Sequence, residues 1–190
     1  PVIGLGTWRS FDIGEGAAER SSRTDVLNAL FDVGGSVIDS SPMYGAAERV
    51  VGELLTMTEH RDKAFVATKV WTEGKQHGID QMRRSMELLR VNAIDLMQIH
   101  NLVDWRTHLS TLRDWKEQGL IRYIGITHYT VGAFDQLERI IASEKIDFVQ
   151  LPYSLTVRDA EARLLPLAAE EGVAVIVNRP FDGGGMFNAV

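Results

Sequence analysis

Short apolar runs rich in β-branched residues recur along this chain at nearly constant spacing. The runs occupy residues 2–5, 36–39, 65–69, 94–99, 123–126, 148–151 and 173–177. From the second run onward, successive runs are centred 25 to 31 residues apart, which is the length of one strand followed by one helix. Runs of such continuous apolarity are typical of strands covered on both faces. The sequence therefore predicts seven parallel strands separated by six helices.

The segments between the runs carry apolar residues at helical spacing. Such residues share one helical face in segments 51–55, 79–89, 109–115, 134–141 and 164–169. Gly119 and Gly172 follow two of these segments and are plausible helix ends. Trp115 falls at helical spacing, so we predict that it lies in the core.

Two architectures are compatible with this alternation. A doubly wound sheet reverses its strand order and usually carries a glycine-rich phosphate turn after the first strand. Residues 4–9 read GLGTWR and lack the third glycine of that turn, which favours a barrel. A (β/α)8 barrel usually needs about 250 residues. We therefore predict an α/β protein in which residues 1–190 form one TIM-barrel domain, truncated after the seventh strand, with the eighth strand and helix missing.

Composition excludes several classes of protein. The chain has no cysteine, so disulfides, a thiolate nucleophile and cysteine-based zinc sites are ruled out. The 20 basic and 26 acidic side chains give a net charge of −6, which argues against a nucleic-acid-binding surface. No apolar run approaches the roughly 18 residues of a membrane span. Because neither H-x-x-x-H nor H-E-x-x-H spacing occurs, we predict no metal site.

The ends of the chain are unusual for a complete protein. It begins at Pro1 and ends on glycines 183–185 followed by a short apolar tail. We expect a fragment with a cytoplasmic location. A periplasmic location stays open, because a signal peptide would precede Pro1. The sequence predicts no particular oligomeric state.

Each predicted strand delivers polar groups to its carboxyl end, where barrel enzymes place their chemistry. These groups belong to Gly6, Thr7, Trp8, Asp39, Tyr44, Lys69, Trp71, His100, Asn101, Thr127, His128, Gln150, Asn178 and Arg179. Asp39 and Lys69 both follow apolar runs, so we expect them to be partly buried and paired. That pair is either a structural ion pair or part of an acid catalyst. In the second case the ammonium lowers the pKa of Tyr44 towards working pH, and His100 binds the same substrate oxygen.

Other polar and aromatic residues receive simpler interpretations. His60, His77 and His108 lie in polar or helical segments and are predicted to be solvated. Ser40 and Ser41 follow Asp39 without the G-x-S-x-G pattern of a hydrolase nucleophile. Three tryptophans just past strand ends are predicted to form an apolar pocket wall: Trp8, Trp71 and Trp105.

At these residues the chain resembles the aldo/keto reductase superfamily. The similarity covers nearly the whole sequence in order. It rests on GLGTW at 4–8, Asp-Ser-Ser-Pro-Met-Tyr-Gly at 39–45, ATKVW at 67–71, DLMQIHN at 95–101, IGIT at 124–127 and the segment around Pro180. One such motif is weak evidence, whereas four catalytic positions in order, each at its own strand end, are specific.

The resemblance implies a (β/α)8 barrel enzyme that reduces aldehydes and ketones. The cofactor would be NADPH, or less often NADH, and the binding partner would be a small-molecule carbonyl compound. Tyr44 would donate the proton, Lys69 paired with Asp39 would lower the Tyr44 pKa, and His100 would orient the carbonyl. Gly6, Thr7 and Trp8 would line the nicotinamide end of the cofactor, and Thr127, His128 and Gln150 would hold its carboxamide. The other residues expected to bind the cofactor are Asp39, Asn178, Arg179 and Phe181.

The chain departs from the family pattern in two places near the cofactor. Thr127-His128 stands where the family often has Ser-Asn, and Asn178 stands where an aromatic residue often stacks on the nicotinamide. Phe181 is the candidate replacement for that ring. The family's basic segment for the adenosine 2′-phosphate follows the eighth strand and is absent, so the preference for NADPH comes from the resemblance alone.

Three functions remain open from the sequence. The first is a carbonyl reductase with Tyr44 as proton donor. The second is an NADPH-binding regulatory module with little or no catalysis, which the Asn178 departure favours. The third is a cofactor-free lyase or isomerase, which fits the Asp39–Lys69 pair but gives Tyr44 no role.

Overall fold

Seven parallel strands lie side by side in chain order in a computed structural model that describes residues 3–58 and 61–189. The strands are β1 Leu5–Gly6, β2 Val37–Asp39, β3 Phe65–Val70, β4 Ile94–His100, β5 Ile121–Thr127, β6 Phe148–Pro152 and β7 Ala174–Asn178. The α-helices between them are α1 Ala17–Asp32, α2 Ala47–Met57, α3 Lys75–Leu89, α4 Trp105–Glu117, α5 Phe134–Ser143 and α6 Leu164–Glu170. The strand order never reverses, which excludes the doubly wound alternative. The sheet curls into a (β/α)8 barrel arrangement without its eighth strand, as the sequence predicts.

The register of the sheet decides which side chains face its concave side. Asp39 pairs with Ala67, and Lys69 pairs with Gln98. His100 in turn pairs with Thr127. Paired residues in neighbouring parallel strands point to the same face, and side chains alternate along each strand. One continuous register therefore brings six polar residues of β2 to β6 to the concave face: Asp39, Lys69, Gln98, His100, Thr127 and Gln150.

The opposite face of the sheet packs against the helices in two apolar clusters. One cluster lies between strands β3–β6 and helices α3–α6 and includes Trp115, as predicted. The other joins α1 and α2 to β2 and β3 and contains Phe11, Phe31 and Leu55. The six α-helices thus cover the outward side chains of β2–β6, and the strands are buried on both faces. No helix in the described ranges is long and apolar enough to cross a bilayer.

The amino ends of the strands carry carboxylates that bind backbone amides of a neighbouring strand. Asp95 in β4 accepts the amide N–H of Val66 in β3 at 2.9 Å. Asp147, just before β6, accepts the amide N–H of Ile124 in β5 at 2.8 Å. Both acids therefore fasten the end of the sheet that lies away from the candidate active site.

Three predictions from the sequence need correction or comment. The first predicted strand, residues 2–5, lies partly outside the described residues, and β1 runs over Leu5–Gly6. β7 is not buried on both faces: Val175 and Val177 each remain 37% exposed, since no α-helix follows β7 among the described residues to cover them.

His108 is not solvated but fully buried in α4, where its Nε2 lies 2.7 Å from the Thr72 carbonyl oxygen. His77 is exposed as expected, and His60 lies outside the described residues.

Gly52 allows α2 to lie directly against the end of α3. A Cβ at this position would lie 2.1 Å from the Leu88 carbonyl oxygen and 2.8 Å from the Leu89 Cα. Backbone atoms of a helix cannot relieve such a clash by a change of rotamer, as a side chain can. We therefore expect Gly52→Ala to lower the free energy of unfolding by about 1–3 kcal/mol, the usual cost of overpacking.

Urea unfolding followed by circular dichroism measures this effect. Gly132→Ala is the matched control, because a Cβ there has no atom within 4 Å. If the two variants have equal free energies of unfolding, the prediction is wrong, and α2 and α3 can move apart without loss of stability.

Candidate active site

A buried ion pair lies at the centre of the concave face. The Lys69 Nζ is 2.7 Å from the Asp39 Oδ2, and the Lys69 side chain is fully buried. The ion pair expected from the sequence is therefore present. An unpaired ammonium at such a position would be strongly destabilising, so the contact with the Asp39 carboxylate stabilises the buried Lys69 side chain.

Two further groups hold this pair in place, and sequence reasoning did not identify either of them. The Lys69 ammonium also donates to the Ser40 carbonyl oxygen at 2.7 Å. Gln98 donates from Nε2 to the second Asp39 oxygen, Oδ1, at 2.8 Å. The sequence does contain a signal for Gln98. It is a polar residue in an apolar strand, two positions before His100, and that spacing puts both side chains on one face of the sheet.

Tyr44 lies beside the ion pair in the loop between β2 and α2. The Lys69 Nζ is 5.1 Å from the centre of the Tyr44 ring. Burial raises the pKa of Tyr44 above its ordinary value, and the charge and hydrogen bonding of Lys69 oppose this without reversing it. Lys69 thus acts on the Tyr44 pKa in the predicted direction, but the expected net shift towards working pH is not found, because burial of the phenolate and the charge of Asp39 outweigh the ammonium. Tyr44 remains a protonated phenol at neutral pH.

His100 ends β4 beside Tyr44. The two rings meet edge to face, with their centres 6.0 Å apart. Burial lowers the pKa of His100 to about 3, and the positive charge of Lys69 acts in the same direction. The imidazole is thus neutral at neutral pH. Its Nδ1 lies 3.0 Å from the hydroxyl oxygen of Ser41.

The residues at the end of β1 differ in burial: Thr7 is buried in the sheet, whereas Trp8 is half exposed. Thr7 is fully buried, and its hydroxyl lies 3.1 Å from the Asp39 carbonyl oxygen and 3.0 Å from the Ser40 hydroxyl. Thr7 therefore fastens β1 to β2. Gly6 has open space where a Cβ would lie, and Trp8 is 50% exposed with the Arg9 guanidinium 4.3 Å from its ring centre.

Polar side chains at the ends of β5 and β6 form a second group. The Thr127 hydroxyl donates to the Gln150 Oε1 at 3.1 Å, and both side chains are buried. The His128 backbone amide donates to the Gln150 carbonyl at 3.2 Å. The His128 Nδ1 accepts the backbone N–H of Thr130 at 3.2 Å, so this nitrogen is engaged within its own loop. Burial lowers the pKa of His128.

The residues after β7 also reach this edge of the sheet. Asn178 donates weakly to the His128 carbonyl at 3.5 Å, and its buried Oδ1 has no partner in the described part of the chain. The Arg179 guanidinium lies 5.3 Å from the ring centre of Tyr129. Phe181 is 53% exposed, and its ring centre lies 5.3 Å from that of Phe187.

The three tryptophans predicted as a pocket wall occupy different surroundings. The ring centre of Trp71 is 6.3 Å from that of His100, and Trp71 is 41% exposed. Trp105 instead begins α4 and packs, half-buried, against the apolar cluster of α3–α6. Trp71 is therefore the tryptophan in ring contact with the group formed by Asp39, Tyr44, Lys69 and His100.

This geometry combines a phenol that stays protonated, a neutral imidazole and a buried ammonium on one concave surface. Phenol and imidazole are both able to donate hydrogen bonds to one oxygen atom. Such a set suits a reaction in which a carbonyl oxygen gains negative charge and then a proton. In the described residues, no cluster of three His, Asp or Glu side chains is arranged to hold a metal ion.

Comparison with known proteins places the chain among enzymes with this type of barrel. Aldo-keto reductase YhdN of Bacillus subtilis is 26% identical over 92% of this chain and 56% of its own length. Methylglyoxal reductase YeaE of Escherichia coli is 29% identical over 97% of this chain and 66% of its own length. The chain thus spans between 56% and 66% of the length of these relatives.

Solved structures show the same similarity. An aldo/keto reductase from Klebsiella pneumoniae, crystallised with NADP and acetate, superposes with a TM-score of 0.81 at 28% identity. The match covers 97% of this chain and 66% of that one. The model of the aldo/keto reductase family matches residues 2–189. By its sequence and its fold, this chain belongs to the aldo/keto reductase family.

Proposed function

We propose that this protein reduces aldehydes or ketones to alcohols with a nicotinamide dinucleotide as hydride donor. The observation that carries the proposal is the convergence of Tyr44, Lys69 and His100. The Tyr44 ring centre lies 5.1 Å from the Lys69 ammonium and 6.0 Å from the His100 ring centre. Membership of the aldo/keto reductase family supports it.

Each of these side chains has a distinct role in the proposal. Tyr44 donates its phenolic proton to the carbonyl oxygen as that oxygen becomes an alkoxide. Lys69 stabilises the phenolate left behind, and Asp39 holds Lys69 in position through the 2.7 Å contact. His100, which is neutral, binds the same oxygen and orients the carbonyl group.

The residues at the ends of β5 to β7 fit the carboxamide of a nicotinamide. The buried Asn178 Oδ1 lacks a partner among the described residues, and a carboxamide N–H would satisfy it. Thr127 and Gln150 place further hydrogen-bonding groups at the same edge. When bound, the dinucleotide supplies a hydride to the carbonyl carbon. A structural relative was crystallised with NADPH, which favours that form over NADH.

The surroundings of Tyr44 and His100 indicate the kind of carbonyl compound. Trp71 is 41% exposed, and its ring centre lies 6.3 Å from that of His100, which suits an uncharged substrate with an apolar side. The relative YeaE is a methylglyoxal reductase, a small-carbonyl enzyme by name. We propose small aldehydes and ketones as the substrate class.

A regulatory nucleotide-binding module is the second candidate. It is favoured by the position after β7, where Asn178 replaces the aromatic residue often found in the family and Phe181 contacts Phe187. The module predicts that NADPH raises the melting temperature although no carbonyl compound is turned over. A cofactor-free lyase predicts no change in melting temperature with NADPH.

Substitution of Tyr44 by Phe tests the proposed proton donor. The change removes one oxygen and keeps the ring that contacts Lys69 and His100. We expect kcat for NADPH oxidation with a panel of small aldehydes to fall by at least ~100-fold, the lower end of general acid contributions. NADPH-dependent shifts in melting temperature serve as the control, since they report binding without chemistry. Equal turnover by wild type and variant would refute the role of Tyr44.

The low pKa of His100 predicts how stability depends on pH. The folded-state pKa of about 3 lies below the ordinary 6.5, so the unfolded chain binds a proton that the folded protein excludes. Stability is therefore lost as pH falls from about 6.5 towards 3. Urea unfolding between about pH 7 and pH 5 should show a smaller loss in His100→Gln than in wild type. His77→Gln, at an exposed histidine, is the matched control, and an unchanged slope in His100→Gln would contradict the burial of a neutral imidazole.

A further inference from the structure

Two consecutive buried serines follow Asp39, and of their two hydroxyls it is that of Ser41 that contacts His100. Ser41 is fully buried, and its Oγ lies 3.0 Å from the His100 Nδ1. The backbone N–H of Met43 donates to the same Oγ at 3.3 Å. The serine hydroxyl thus lies between a backbone donor and the imidazole.

The direction of the Ser41–His100 hydrogen bond follows from counting donors and acceptors. A serine hydroxyl has one proton to donate and two lone pairs to accept with. The Met43 N–H fills one lone pair. If the His100 Nδ1 carried a proton, it would fill the other, and the Ser41 proton would be buried with no acceptor among the described residues. Buried donors are rarely left unsatisfied, so the Ser41 hydroxyl donates to an unprotonated Nδ1.

We propose that Ser41 is a positioning residue that fixes His100 as the tautomer with its proton on Nε2. A neutral imidazole carries its proton on one nitrogen, and the hydrogen bond made by the other nitrogen determines which. Ser41 occupies Nδ1 as an acceptor, which leaves Nε2–H as a donor.

The Nε2 of His100 is the nitrogen available to a substrate. It makes no hydrogen bond to a described residue, and His100 keeps 7% exposure. The rings of Tyr44 and Trp71 flank the imidazole at 6.0 and 6.3 Å between centres. With the proton on Nε2, His100 donates to a carbonyl oxygen. With the proton on Nδ1 it would present a lone pair and repel that oxygen. Only this last step rests on the proposed reductase function; the tautomer does not.

Ser40 provides a matched comparison within the same loop. It is also fully buried, but its hydroxyl oxygen lies 3.0 Å from that of Thr7. The Ser40 hydroxyl makes no hydrogen bond with His100. Substitution of either serine by alanine removes one buried hydroxyl. Only the substitution at Ser41 also removes a hydrogen bond to the His100 imidazole.

Nitrogen-15 NMR of protein labelled at histidine tests the proposal near neutral pH, where protonated and unprotonated ring nitrogens resonate in separate regions. The His100 signals are identified by their absence from His100→Gln. In wild type we expect a protonated Nε2 and an unprotonated Nδ1. We expect Ser41→Ala to give a mixture of tautomers, Ser41→Thr to retain the wild-type form, and Ser40→Ala to leave the His100 signals unchanged.

A wild-type spectrum with the proton on Nδ1 would overturn the proposal even if no variant folded. The same tautomer in wild type and Ser41→Ala would overturn it as well. If the protein proves to be a reductase, kcat of Ser41→Ala should fall by roughly 10-fold, as when partners that orient a functional histidine are removed, and Ser41→Thr should recover it. Because the spectrum requires no turnover, failure of the reductase function leaves the tautomer test intact.

Discussion

The buried Lys69 ammonium constrains the arrangement of the whole candidate site. A charge with no exposure to solvent is tolerated only when its partners are fixed, and here they are the Asp39 carboxylate and the Ser40 carbonyl, each at 2.7 Å. Gln98 holds the other Asp39 oxygen at 2.8 Å, so the carboxylate has little freedom to turn away. Tyr44 and His100 then lie in the field of this charge. The ammonium favours the phenolate of Tyr44 and disfavours a proton on the imidazole of His100.

The parallel register explains how one sheet brings these groups together. Residues that pair across parallel strands share a face, so placing Asp39 on the concave side also places Lys69, Gln98 and His100 there. A slip of one residue in any strand would send its polar side chain into the apolar layer beneath the helices. Gly125 of β5 lies between these polar groups, where a Cβ would come within 2.9 Å of Gln98. The site is therefore a property of the sheet as much as of the loops.

Much of this arrangement was predictable from the sequence, because strand spacing and the location of polar residues depend on local pattern. The barrel order and the Asp39–Lys69 pair belong to that part. The direction of the Tyr44 pKa was not predictable, since it depends on how burial balances against the nearby ammonium, and burial is set by the packing of distant elements. Gln98 and Ser41 were missed because their partners lie 59 residues away in the chain. His108 was misjudged because its polarity was weighed above its position: it lies four residues before Leu112, on the face of α4 that is buried.

The carboxylates at the opposite end of the sheet have a structural role that is separate from the candidate active site. Asp95 and Asp147 bind the strand amides of Val66 and Ile124, and neither takes part in the group around Lys69. Acids that hold strands together are thus separated by most of the length of a strand from the side chains of the candidate active site. Because Asp95 and Asp147 hold the strands at their amino ends, substitutions in the loops at the carboxyl ends leave these contacts between strands in place.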